Sequence, residues 1–182
     1  MATAATKFAD VKVGDTLKPL VLPPISRHQL ALYCGGSGDH NPIHVDIDFA
    51  KKFGFKDVFA HGMLSMGFLG RLVTSYAPRD RIRRLGTRFT AITWVGDVIT
   101  VSGKVTGKRE EGGQKLVDLE VRCTNQSGKD TLQGDATVAL AIPAPAPLSY
   151  TIRDDGGHAM PGKITAHPIS RLEKPIATAP TR

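Results

Sequence analysis

An aspartate and a histidine stand five residues apart in Ser37-Gly38-Asp39-His40-Asn41-Pro42-Ile43-His44, and a further histidine opens His61-Gly62-Met63 seventeen residues later. A carboxylate and an imidazole that converge can share one water. The imidazole takes or gives a proton near neutral pH, and the carboxylate binds or deprotonates the same water. Pro42 keeps Asn41 out of helical geometry, so the segment is extended or turn-like. Extended residues span about 3.3 Å each. Asp39 and His44 therefore meet only if the chain curves, and Asn41-Pro42 suits that turn. His61-Gly62-Met63 lies where a loop enters an apolar helix. The first N–H groups of a helix have no acceptor within it and can stabilise negative charge on a carbonyl oxygen. A glycine at 62 allows close approach to that backbone.

Other readings of the same residues stand beside this one. Asp39 alone is ordinary turn chemistry. His61 alone is a core histidine bonded to a neighbouring carbonyl. His40, His44 and Asp46 form a weak metal set, because Pro42 prevents the two histidines from sharing a helical face. No metal site and no cofactor are expected.

The elements that must position these groups follow from pattern. Val13-Gly14-Asp15 leads into a short strand over Leu17–Leu22, ended by Pro23-Pro24. Ser26 and Gln29 form a capping box for a helix that Gly35-Gly36 should stop. Asp48 is placed to cap a second short helix ending at Gly54. The longest helix runs from about Gly62 to Tyr76. Met63, Leu64, Met66, Phe68, Leu69, Leu72 and Val73 surround most of it, which predicts a buried helix, and Pro78 stops it. After Arg81 the period becomes that of strands: Leu85–Trp94, Val98–Lys108, Leu116–Asn125 and Thr131–Ile142. Turns at Val95-Gly96-Asp97, Glu110-Glu111-Gly112-Gly113 and Asn125-Gln126-Ser127-Gly128 suggest a meander of antiparallel strands. The expected fold is α+β, a curved antiparallel sheet wrapped around a long buried helix. Its bare edge predicts dimerisation.

The chain has 182 residues, 41% of them hydrophobic and 23% charged, values of an ordinary globular domain. Residues 1–142 carry the strand and helix signals and read as one domain. Residues 143–182 hold seven of the twelve prolines and read as an extended or disordered tail. Its role is not legible. No run has the apolar length of a membrane span and no secretory signal opens the chain, so a cytoplasmic protein with no membrane partner is expected. Cys34 and Cys123 give neither a disulfide framework nor metal spacing and read as small buried hydrophobes. The net charge is +7, with Arg79, Arg81, Arg83, Arg84 and Arg88 within ten residues. That cluster is either a solvated face or a site for an anionic partner such as nucleotide phosphates or an acidic carrier protein. No aromatic residues interleave with it and no nucleic-acid motif appears, so nucleic acid is not expected as a partner.

The string from Ser37 to His44 with Asp46, together with Ala60-His61-Gly62-Met63-Leu64, resembles the signature of the MaoC-like dehydratases, the (R)-specific enoyl-thioester hydratases. Val13-Gly14-Asp15 and Arg88-Phe89-Thr90 fit the same pattern. The run from Ala60 to Gly67, with Val73-Thr74-Ser75-Tyr76, is similar to the mycobacterial-type (3R)-hydroxyacyl-carrier-protein dehydratase subunits. The resemblance spans roughly residues 8–142 and leaves out the tail. It implies a hot-dog fold and reversible addition of water to a trans-2-enoyl thioester of coenzyme A or acyl carrier protein. It implies that Asp39 and His44 are the catalytic pair and that the Gly62 N–H binds the thioester oxygen. Asn41 and His61 are supporting residues, and Arg81, Arg83 and Arg84 are candidate contacts for the carrier's phosphates. Some short-chain hydratases carry a serine near the position of Gly70, so acyl-chain preference stays open. A hot-dog thioesterase and a non-catalytic subunit of a heterodimeric dehydratase are the alternatives. A homodimer is the expected assembly and a heterodimer its alternative.

Overall fold

The computed structural model describes residues 6–141, 148–153 and 159–164. The chain falls into two units, Met1–Pro143 and Ala144–Arg182. In the first unit, β1 (Leu20–Val21) and α1 (Arg27–Ser37) precede a 3-10 turn at Pro42–His44 and α2 (Ile47–Lys52). Then come α3 (Gly62–Tyr76) and four long strands: β2 (Ile82–Phe89), β3 (Thr100–Glu111), β4 (Gln114–Thr124) and β5 (Asp130–Ala141). In the second unit, β6 (Leu148–Arg153) pairs antiparallel with β7 (Ala159–Ile164). Among the described residues no helix is long and apolar enough to cross a membrane.

The sheet order is β1-β3-β4-β5-β2, antiparallel throughout. Two-residue alternation carries it. Val101, Gly103 and Val105 on β3 face Cys123, Val121 and Leu119 on β4 in register, and all are buried. Gly112 and Gly113 take φ of 56° and 73°, the left-handed pair that a tight β3–β4 hairpin needs. On α3, Phe68, Leu69, Leu72 and Val73 are buried in the same cluster as Val101, Val105, Val121 and Leu132. A buried side chain of this size contributes about 1.5–3 kcal/mol. Gly103 lets the helix close on the sheet: a Cβ there would stand 3.2 Å from Leu72 and from Leu17. Core packing along α3 thereby fixes where its first turn, and Gly62, must lie.

Several expectations need correcting. The first strand forms a ladder only at Leu20–Val21, because Pro19 supplies no N–H. Leu17 and Leu22 still donate to the Gly103 and Ile99 carbonyls at 2.9 Å each. α1 runs through Gly35-Gly36 to Ser37, since both glycines accept helical angles, and stops at Gly38 with φ of 77°. Ser26 caps it, accepting from the Gln29 N–H at 3.1 Å. Asp46, not Asp48, caps α2, its carboxylate accepting from the N–H groups of Asp48 and Phe49. α3 is buried on one face only: Met63 is 59% exposed, and Gly67, Arg71 and Thr74 are exposed as well. The meander fails at Val95-Gly96-Asp97, for β2 pairs with β5 and not with β3. The stretch after Phe89 is drawn toward the entrance of α3, where the Ala60 N–H donates to Thr93 and Phe59 bridges Trp94. The chain then crosses the sheet before β3 begins.

Candidate active site

A relay of local hydrogen bonds curls the segment before His44. The Asp39 N–H donates to Ser37 Oγ at 3.2 Å, the Asn41 N–H to Asp39 Oδ1 at 3.3 Å, and the Ile43 N–H to Asn41 Oδ1 at 3.1 Å. Each is a side chain capturing an N–H two residues on, the turn chemistry of serine, aspartate and asparagine. Asn41 also caps the 3-10 turn that carries His44. The result is the convergence required: side-chain ligand atoms of Asp39, His44 and His61 all lie within 4.8 Å of one another.

His44 is 9% exposed, and its Nδ1–H donates to the Phe59 carbonyl at 2.8 Å. A carbonyl only accepts, so this bond places the proton on Nδ1 and leaves Nε2 bare. His61 is 1% exposed. Its Nε2–H donates to the Asp39 carbonyl at 3.2 Å. Its Nδ1 is buried with no partner among the described residues. The two imidazoles stack with centroids 3.9 Å apart. Burial first, and then the nearby His44, push the His61 pKa below its ordinary value, against the opposing pull of Asp39. His61 is thus held neutral.

The third component is the start of α3. Gly62 is the first residue of the helix, and no side chain caps that end. Leu64 and Ser65 donate back to the His61 carbonyl, but the Gly62 and Met63 N–H groups have no acceptor among the described residues. A cavity of about 180 Å³ opens beside Gly62, lined by Phe59, Ser65, Phe89, Ile92 and Leu132 among others. The Phe89 ring lies so close that a Cβ at position 62 would stand 3.1 Å from its Cε1. This apolar space beside free N–H groups suits the acyl end of a thioester.

The remaining candidates fall elsewhere. Asp46 is occupied as the α2 cap, and His40 Nδ1 lies 3.3 Å from Cys34 Sγ. The metal set His40, His44 and Asp46 is therefore not assembled. The Asp39, His44 and His61 cluster is a different trio. Its ligand atoms all lie within 4.8 Å of one another, and each imidazole gives one ring nitrogen to a carbonyl and keeps the other. Cys123 is buried and its thiol is pushed up to about 12, while Cys34 is only partly buried. Arg83 donates to Gln114 Oε1 at 2.6 Å and to the Asp80 carbonyl at 2.8 Å. Arg84 pairs with Asp135, and Arg81 with Asp80 at 3.5 Å. Arg83 and Arg84 lie at the start of β2 and Arg81 in the 3-10 turn before it.

Sequence reasoning missed Phe59 as the acceptor for His44 and Phe89 as the wall on Gly62. It also missed Tyr33, whose ring centroid lies 4.9 Å from that of His61, and the contact of Ser65 Oγ with Thr93 Oγ1 at 3.5 Å. All four relations span distant positions and leave no local signal.

A five-stranded antiparallel sheet with a helix packed on it defines a hot-dog protein, with an aspartate–histidine pair gathered at that helix's entrance. The profile of the MaoC-like domain matches residues 9–127, and the chain belongs to that family. It is 35% identical over 135 residues to the (R)-specific enoyl-CoA hydratase of Rhodospirillum rubrum, covering 73% of this chain and 90% of that one. It is 28% identical to the mitochondrial 3-hydroxyacyl-[acyl-carrier-protein] dehydratase of Arabidopsis thaliana, over 71% of this chain and 78% of that one. The crystal structure of the (R)-hydratase from A. caviae superposes with a TM-score of 0.64 at 26% identity, covering 74% of this chain and 98% of that one.

Proposed function

We propose that this protein is an (R)-specific hydro-lyase that adds water to trans-2-enoyl thioesters of coenzyme A or acyl carrier protein, and removes it in reverse. The observation that carries this reading is the convergence of Asp39, His44 and His61, whose side-chain ligand atoms lie within 4.8 Å of one another, with the His44 ring aligned by the Phe59 carbonyl. The pair holds a water over the C2=C3 bond. As the water oxygen bonds to C3, its proton passes to His44 Nε2 and the C2=C3 electrons move toward the thioester carbonyl. The Gly62 N–H stabilises the enolate oxygen. The pair then delivers one proton to C2, so that hydroxide and proton together account for the added water. Asp39 accepts the water's second hydrogen bond and stabilises the imidazolium.

The domain of residues 1–142 performs this chemistry, with residues 143–182 outside it. Arg83 is six strand residues from Phe89 on β2, about 20 Å of extended chain, which matches the reach of a pantetheine arm. Arg81, Arg83 and Arg84 accordingly meet the carrier's phosphates. The edge of β2, unpaired among the described residues, favours a homodimer, and two free cysteines suit the reducing cytoplasm.

The test is an assay with crotonyl-CoA and a longer trans-2-enoyl-CoA, following loss of the enoyl-thioester absorbance. Wild type should turn over, while Asp39→Asn and His44→Ala should each lose roughly 10²–10⁴-fold in kcat without unfolding the protein. Full activity in both variants, or release of free thiol without enoyl loss, would overturn the reading.

A further inference from the structure

We infer that His61 is a positioning residue of the reaction centre: it ties the Asp39 loop to the entrance of α3 and supports the ring of His44 from beneath. This rests on the hydro-lyase reading above and adds a role for a residue that, in that mechanism, exchanges no proton.

Three contacts converge on one ring. The Nε2–H of His61 donates to the Asp39 carbonyl at 3.2 Å, joining two segments 22 residues apart. The ring stacks on His44 with centroids 3.9 Å apart and planes 29° from parallel. Tyr33 of α1 packs on the same ring at 4.9 Å. The backbone of His61 is also the N-cap of α3, its carbonyl accepting from Leu64 and Ser65. Whatever holds His61 still therefore holds the neighbouring Gly62 N–H. One residue links the carboxylate, the imidazole and the oxyanion donor.

The burial of His61 argues that the side chain is there for its N–H. A leucine or phenylalanine would fill the same space without stranding a buried acceptor, whereas His61 leaves Nδ1 buried with no partner among the described residues. That cost is tolerable only if the other nitrogen does something a hydrocarbon cannot. The donor to the Asp39 carbonyl is that function.

The charge state fits the same role. The titratable groups that face the ring are His44 from the Pro42–His44 turn, Asp39 from the preceding loop and Tyr33 from α1. Burial and His44 both keep His61 neutral. A neutral ring stays in contact when His44 takes a proton from water, whereas two charged rings at this separation would repel.

The experiment compares His61→Gln, His61→Asn and His61→Phe in the crotonyl-CoA assay. The glutamine amide reaches the position of Nε2 and can donate to the Asp39 carbonyl. The asparagine amide reaches only the position of Nδ1, and phenylalanine keeps the stack without a donor. Asn and Phe should lower kcat about 10–100-fold with little change in KM, as expected for a misplaced reacting group, and Gln should recover most of the loss. The Gln–Asn comparison keeps the test decisive if the Phe variant fails to fold. Asn as active as Gln, or a rise in KM at constant kcat, would overturn the positioning role. Inactivity of the wild type toward every enoyl thioester would overturn the hydro-lyase reading instead, and circular dichroism separates both outcomes from unfolding.

Discussion

The Nδ1–H of His44 donates to the backbone carbonyl of Phe59 at 2.8 Å, so the tautomer of the proposed base is set by main chain. That carbonyl is well anchored: Phe59 bridges Trp94, and the next N–H, from Ala60, donates to Thr93 at 2.9 Å. The Phe59 side chain only meets the imidazole edge-on, with centroids 5.0 Å apart. Phe59→Leu should consequently keep most of the kcat, because the orienting oxygen is not part of the ring. A loss as large as that of His44→Ala would show that the ring, and not the carbonyl, orients the base.

Acid should destabilise the fold through His61. Its pKa is lowered from 6.5 in the folded chain, so the unfolded chain binds the proton more readily. Stability is fully present above 6.5, the unfolded value, and is lost as pH falls from there through the folded pKa. Thermal midpoints measured from pH 7.5 down to pH 5 should fall, and His61→Phe should flatten that dependence. An identical slope in the variant would remove His61 as its source.

Gly62→Ala should separate stability from activity. Alanine is a better helix former than glycine by about 1 kcal/mol. The added Cβ would, however, crowd the Phe89 ring at 3.1 Å. That ring is 51% exposed and can give way at modest cost. The melting midpoint should change little while kcat/KM falls, because ring and methyl now crowd the oxyanion donor. Phe89→Leu added to Gly62→Ala should restore part of the activity, read in the same enoyl assay.

Asn41→Ala removes the acceptor for the Ile43 N–H at the start of the His44 turn. Loss of such a cap costs about 1 kcal/mol. Denaturant unfolding should report that loss, and kcat should fall further than the stability change alone explains, since the turn sets the spacing of Asp39 and His44. Asn41→Asp, which keeps an acceptor, should be milder.

Replacing Arg81, Arg83 and Arg84 together with glutamine should raise KM for crotonyl-CoA several-fold at low salt, an effect that screening at high salt should erase. Crotonyl-pantetheine, which lacks the nucleotide phosphates, should be indifferent to the change. Equal KM shifts for both substrates would take the arginines away from the carrier.

Local chemistry was legible in the sequence and distant pairing was not. Pro42 and Asn41 announced the curve that brings Asp39 to His44, and Ser26 announced the start of α1. The same local reasoning stopped α1 at Gly35-Gly36, although only Gly38 adopts the left-handed angle that ends it. It chose Asp48 over Asp46 because the two differ only in which N–H groups their carboxylates reach. It carried the meander through Val95-Gly96-Asp97 because no turn signature reveals that β2 pairs with β5, as far apart in the chain as Ile82 and Val138. The site showed the same division. Asp39, His44 and Gly62 stood out by type and spacing. The carbonyl of Phe59, the ring of Phe89 and the packing of Tyr33 on His61 depend on tertiary approach, which local spacing does not encode.

The Asp39 carboxylate holds its own loop as well as standing in the proposed catalytic pair. One of its oxygens already accepts the Asn41 N–H, so the proposed catalyst is also the fold of its own loop. Any replacement that removes the side chain dismantles the turn together with the chemistry and cannot tell them apart. Asparagine alone retains an acceptor of the same length without the charge. For this reason Asp39→Asn measures the contribution of the charge, and Asp39→Ala measures charge and loop together; their difference is the energetic value of the local architecture.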